Sequence, residues 1–197
     1  MTNRPQTLAF TVRFNGRTNM LITKTLISTP LLSPADTINA IEPININDAD
    51  TVDKAKEYVG IWDTGATNSV ISQKVVDECG LKPIGIKKVH TAGGDHLCEV
   101  FLVSIFLPNK VVIPSISVTK AVSLAGCDVL IGMDIISQGD FAITHNDGKT
   151  MFSFRLPSMG AIDFVTSTPY HASIKPQRNA PCPCGSDKKY KKCCGKP

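Results

Sequence analysis

The stretch IWDTGATNSVIS, residues 61–72, constrains the chain more than any other. An apolar run stops at Asp63, Thr64-Gly65 turn the backbone, and Val70-Ile71 resume the run. A carboxylate is costly to bury unpaired, so one at the end of a hydrophobic strand belongs on a turn or in a cleft. Taken alone, Asp-Thr-Gly fits a strand-end turn with an Asx hydrogen bond and a flexible glycine as readily as it fits a site. Its surroundings have to decide.

Those surroundings are β-patterned. The runs TLAFTVRF and TNMLITKTLIS flank Asn15-Gly16 and predict a hairpin with a tight turn. Residues 29–50, rich in Pro, Asn and Asp, read as a long loop. YVGIWD predicts a strand that delivers Asp63. SQKVVDECG predicts a short helix capped by Ser72, with Val75, Val76 and Cys79 on one face and Gly80 ending it. Two strands around Gly93-Gly94 predict a hairpin over residues 84–108. KVVIPSISV reads as a strand whose Pro114 marks a sheet edge. DVLIGMDII predicts a buried strand running into Gly132 and then a helical turn, and Asp147-Gly148 predicts a last hairpin. The expected fold class is all-β with one or two short helices.

Composition separates the chain into parts. With 42% hydrophobic and 19% charged residues, 197 residues suit a globular domain with a small appendage and exclude wholesale disorder. The N-terminus lacks the apolar core of a secretory signal, and no run approaches the length of a membrane span. Residues 157–177 are linker-like by composition, which predicts a domain over 1–156 (core 55–156, hairpin and loop 1–54) and a terminal unit over 178–197. From Lys175 onward there are seven basic residues and one acid, Asp187, so the tail carries +6 of a net +4 and the rest sums to −2.

Seven cysteines divide the same way. Cys79, Cys98 and Cys127 lie among apolar residues and read as buried thiols. Cys182, Cys184, Cys193 and Cys194 crowd the end. An odd count without a signal peptide points to a reducing cytoplasm and to metal, not to a disulfide framework.

The ordered set Asp63-Thr64-Gly65-Ala66, Ser69-Val70-Ile71, the glycine hairpin HTAGGDHLCEV and Leu130-Ile131-Gly132 resembles the retroviral-type (retropepsin-like) aspartic proteases over about residues 55–156. The resemblance implies a closed, barrel-like acid-protease domain. It makes Asp63, Thr64 and Gly65 the catalytic loop and Thr91, Ala92, Gly93 and Gly94 the substrate-covering flap. Such chemistry needs two carboxylates, one taking a proton from water and one donating to the peptide carbonyl. Only one Asp-Thr-Gly is present. Asp134 lacks the loop that would aim it and reads as a helix-start carboxylate favoured by the macrodipole. The second aspartate is therefore expected to be Asp63 of another copy in a C₂ homodimer, with Thr64 of each copy bonding into the other loop. No catalytic cofactor is expected. His90 and His96 read as solvated side chains, and Trp62 as a core or dimer-interface residue.

In the tail, RNAPCPCGSDKKYKKCCGK places four thiols close enough to hold one tetrahedral Zn²⁺. So short a unit cannot fold on its own buried surface, so metal would supply its folding energy. Residues 179–195 resemble the SEC-C motif, which implies Cys182, Cys184, Cys193 and Cys194 as ligands of a structural zinc and a role in partner docking. Its lysines suit an acidic protein partner or the ribosome. Together these readings predict a cytoplasmic, dimeric aspartic endopeptidase acting on protein or peptide substrates. The alternative is a non-catalytic dimeric peptide-binding adaptor, with nucleic-acid binding through the tail as a third reading.

Overall fold

The computed structural model describes residues 8–31, 55–91, 94–109, 111–121, 123–124, 126–164, 179, 188–193 and 195. The chain divides into two compact units, 1–160 and 161–197. Among the described residues, no helix is long and apolar enough to cross a membrane. The expected loop over 29–50 falls almost wholly outside the described residues.

Among its described residues the first unit has ten strands and two short helices. The strands are β1 (Leu8–Arg13), β2 (Leu21–Ser28), β3 (Lys56–Trp62), β4 (Val70–Ile71), β5 (Gly85–Thr91), β6 (Gly94–Phe106), β7 (Val112–Lys120), β8 (Val129–Ile131), β9 (Asp140–Thr144) and β10 (Met151–Leu156). The helices are α1 (Gln73–Glu78) and α2 (Met133–Ile136). Seven strands form one sheet in the order β2-β3-β8-β4-β7-β6-β5, and an added β2–β6 pairing closes it on itself. The all-β, closed architecture expected from the sequence is what forms.

The N-terminal hairpin does not form. β1 pairs antiparallel with β10, from Leu8↔Leu156 to Arg13↔Met151, while β2 pairs with β3 and β6. The physical reason lies in the apolar stripe of β1. Phe10 stands 5.6 Å from Trp62 and 5.8 Å from Phe152, ring centre to ring centre. That cluster, with Phe141 and Phe154 also on Trp62, outweighs a local Asn-Gly turn. The connector is instead tied to the β9–β10 turn by Phe14 N–H to Thr150 O and Thr150 N–H to Gly16 O. Trp62 belongs to the core: it is 4% exposed and donates its indole N–H to Thr23 Oγ1 at 2.9 Å.

The strand that carries Pro114 is not the edge of the sheet either: β7 lies between β4, which pairs with Thr119 and Lys120, and β6. The register on β6 slips between Val103↔Ile116 and Ile105↔Ile113, so Pro114 sits in a bulge, followed by Ser115 at φ +50°. A bulge leaves an unpaired position, which is what a residue without an N–H requires. The remaining elements match expectation. Ser72 caps α1 by accepting from the Val75 N–H, Val75 and Val76 are buried, and β9 and β10 pair across the Asp147-Gly148 turn.

Candidate active site

β3 ends at Trp62 and delivers Asp63 to the rim of the barrel, half-buried, with Thr64 and Gly65 exposed beside it. The parallel pairing of β3 with β8, Gly60↔Val129 to Trp62↔Ile131, continues for one more bond: Asp63 N–H donates to Ile131 O at 2.9 Å. The backbone position of the aspartate is thus set by a strand 68 residues away in sequence. Its Oδ1 accepts the Gly65 N–H at 2.8 Å, and Ala66 N–H returns to Asp63 O at 3.3 Å. The predicted Asx turn is present, and it orients the carboxylate without burying it.

The loop then meets α2. Met133 N–H donates to Ala66 O at 2.8 Å and Asp134 N–H to Thr67 O at 3.2 Å. Between them Gly132 lies so close that a Cβ there would stand 2.7 Å from the Asn68 carbonyl carbon and 3.0 Å from Ala66 O. A side chain at 132 would push the loop away, which is the steric reason for glycine after Leu130-Ile131.

Asp134 has a larger part than a helix-start charge. Its two carboxylate oxygens accept the Ser69 N–H at 2.8 Å and the Ser69 hydroxyl at 2.7 Å, while Ser69 Oγ accepts the Gly132 N–H at 3.0 Å. Ser69 is fully buried. Asp134 is therefore committed to bracing the loop, not to a second catalytic position within the same chain. A Ser–Asp pair 65 residues apart leaves no local pattern, so sequence reasoning had no signal for it.

The predicted flap is the hairpin β5–β6. Its register runs from Gly85↔Val100 to Thr91↔Gly94. Ala92 and Gly93 lie outside the described residues; Gly94 has φ +110°, a conformation open to glycine. On the hairpin, Lys88 Nζ lies 2.6 Å from Asp95 Oδ2 and His90 Nδ1 contacts the other oxygen. The hydrogen bond from Lys88, then that from His90, holds the Asp95 carboxyl below the usual range. Flap and loop are linked by Lys87, whose Nζ donates to Asn68 Oδ1 at 3.1 Å.

Of the four tail cysteines, Cys182, Cys184 and Cys194 lie outside the described residues. Cys193 is half-buried and follows a 3₁₀ turn at Tyr190–Lys192. Cys193 N–H and Gly195 N–H both donate to Tyr190 O, at 3.0 and 2.9 Å. A Cβ on Gly195 would stand 2.5 Å from the Tyr190 ring. Cys193 and Gly195 thus both close back on Tyr190. Among the described residues no group of three or more His, Cys, Asp or Glu is placed to hold a metal. A set of four thiols on two such short segments fits the donor chemistry of structural zinc.

Known proteins match both parts. Residues 51–138 match the gag-polyprotein putative aspartyl protease family, and residues 178–196 match the SEC-C motif. The chain thus resembles a retropepsin-like aspartyl protease over residues 51–138 and a SEC-C motif over residues 178–196. A protein translocase subunit SecA from Nitratiruptor sp. is 62% identical over 32 residues, 16% of this chain but 4% of that one, so the chain spans only a small fraction of that relative. Among solved structures, a retropepsin-like aspartic protease from Rickettsia conorii aligns at 12% identity and TM-score 0.45, covering 78% of this chain and 98% of that one. The EIAV protease complexed with the inhibitor HBY-793 aligns at 16% identity and TM-score 0.41, covering 64% and 92%.

Proposed function

We propose that this chain is an aspartic endopeptidase whose catalytic pair is Asp63 from each of two copies. The observation that carries the reading is the fixed Asp63 loop. Its backbone is tied to β8 and α2, its carboxylate is oriented by the Gly65 N–H, and it remains open to solvent. A lone carboxylate can accept a proton from water but has no acid to pair with it. A two-fold axis beside Thr64 would bring the two loops together. The two carboxylates would then share one proton, as the general rule for close carboxylates requires. The ionised one takes a proton from water as that water attacks the peptide carbonyl, and the protonated one donates to the carbonyl oxygen. Thr91, Ala92, Gly93 and Gly94 would cover an extended substrate and exclude bulk water.

The SEC-C tail would hold Zn²⁺ through Cys182, Cys184, Cys193 and Cys194 in a structural role. Its lysines would then form a basic face for an acidic protein partner or the ribosome. A cytoplasmic location suits four reduced thiols.

The deciding experiment is cleavage of a denatured protein by the full chain and by Asp63→Asn, across mildly acidic to neutral pH. Cleavage by the wild type alone supports the reading; equal rates from both overturn it, and none from either overturns it and leaves the peptide-binding adaptor. Mixing the two forms tests the shared pair. With equal amounts and random exchange, only about a quarter of dimers keep both aspartates. Activity falling below the wild-type share supports a pair built from two chains, and activity equal to that share refutes it. Metal analysis of the purified chain, with Cys182→Ser as control, checks the zinc.

A further inference from the structure

The flap hairpin has two faces of different charge character. Strand alternation and the β5–β6 register put Ile86, Lys88 and His90 on one face with Asp95, Leu97 and Glu99. Lys87 and Val89 share the other with Cys98 and His96. On the first face each cation meets an acid: Lys88 and His90 meet Asp95, and Lys120, from the neighbouring β7, meets Glu99. Ile86 and Leu97 on that face are 71% and 78% exposed, so it looks outward.

Lys87 is different. Its ammonium reaches from the opposite face to the Asp63 loop and donates to the Asn68 amide oxygen at 3.1 Å. Asn68 is five residues beyond Asp63, and its backbone is the one Gly132 touches. The cation therefore rests on the loop that carries the reacting carboxylate, and its acceptor is neutral. That bond has an ionised donor but a neutral acceptor; a carboxylate entering between flap and loop adds the attraction of an opposite charge, so it would take the ammonium from Asn68.

We infer that Lys87 is a specificity-determining residue that selects peptides carrying an Asp or Glu side chain at one position beneath the flap. The inference rests on the reading of this cleft as a peptide-binding site. Asn68 parks the ammonium when the cleft is empty, which keeps the flap base close to the loop. Lys88 and His90 are paired with Asp95 on the other face, so they do not confer the same preference; His96 is the hairpin histidine on the face of Lys87.

The test separates binding from cleavage. Full-length Asp63→Asn protein is titrated with a positional-scanning peptide library in which each position carries Glu, Gln or Lys in turn. At one position Glu binds about tenfold more tightly than Gln, and added salt reduces the ratio. Lys87→Gln brings the ratio to about one, Lys87→Glu transfers the preference to Lys, and Lys87→Arg retains the preference for Glu. His90→Gln, on the outer face, leaves the ratio unchanged. Absence of any position preferring Glu, or a ratio unaffected by Lys87→Gln, overturns the inference. If the wild type cleaves nothing while the Lys87-dependent ratio persists, the peptidase reading fails and this one stands. If cleavage depends on Asp63 but the ratio is flat, the reverse holds.

Discussion

The Asp63 loop and the flap are both glycine-bearing turns at strand ends, yet they are held in opposite ways. Among the described residues, most bonds that shape the loop beyond its own turn come from far along the chain: Ile131, Gly132, Met133, and Asp134 through both its backbone and its carboxylate. The flap is held by the pairing of β5 with β6 and by exposed ion pairs across the hairpin. Lys87 to Asn68 is its described side-chain link to the loop. Long-range bonds to buried partners resist local opening, whereas a hairpin at the end of the sheet order opens alone. On the proposed reading, one sheet would support a fixed reacting group and a movable cover, the arrangement that hydrolysis under a lid would use.

The largest expected effect comes from the loop's chemistry. Asp63→Asn should lower cleavage by at least about a thousandfold while leaving the unfolding midpoint near wild type, because the Oδ1 acceptor for the Gly65 N–H survives. A parallel loss of thermal stability would mean that the side chain is structural. Gly132→Val should do the reverse. Its branches would meet the Asn68 and Ala66 backbone, and stability should fall by about 3 kcal/mol or more, read by denaturant unfolding. Unchanged stability would show that the loop yields easily and would remove the contrast with the flap.

Asp134→Ala comes next. It leaves the buried Ser69 with an N–H and a hydroxyl that have lost their acceptors. The expected cost is about 2–4 kcal/mol, and Asp134→Asn, which keeps one acceptor oxygen, should cost less. If cleavage fell with no change in stability, Asp134 would be acting on substrate and not on the loop.

Much of this division could be read from the sequence. The strand before Asp63, the helix capped by Ser72, the pairing of β5 with β6 and the strand into Gly132 are all local patterns of apolar spacing and punctuation, and they formed as expected. What failed was long-range competition. Asn15-Gly16 is a good local turn, but Phe10 is drawn to Trp62 and Phe152, and β1 follows it to β10. Pro114 signalled an interrupted ladder correctly, yet an interruption can be a bulge inside a sheet as well as an edge. The Ser69–Asp134 brace and the Lys87–Asn68 contact needed three-dimensional neighbours that no spacing rule supplies.

A smaller effect lies at the corner of the three-stranded sheet. Asp140 accepts the Met159 N–H at 2.8 Å, the Ser158 hydroxyl at 2.6 Å and Arg155 Nε at 2.6 Å. These bonds, the Met159 N–H first and the Ser158 hydroxyl next, bring its carboxyl down to about 2. A depressed folded pKa gives stability that is complete above the unfolded carboxylate value, near 4, and is lost as pH falls toward 2. Asp140→Asn should therefore flatten the acid limb of the stability curve in that window and leave its neutral plateau slightly lower. An unaltered acid limb would assign that limb to other carboxylates.

The smallest effect is expected on the flap, where Asp95 is depressed in the same direction by Lys88 and His90. The sign is the same: its contribution is present above the ordinary carboxylate range and lost as pH falls through the lowered value. The pair is exposed to water and salt, which leaves little for global stability. Asp95→Asn should leave the unfolding midpoint where it was and should raise amide exchange in residues 85–91 and 94–100 alone. Amides of β3 and β8 should be unaffected, because nothing in the Asp63 loop depends on Asp95. If exchange rose in both regions together, flap and loop would open as one unit, and the fixed group and its cover would have to be treated as a single element.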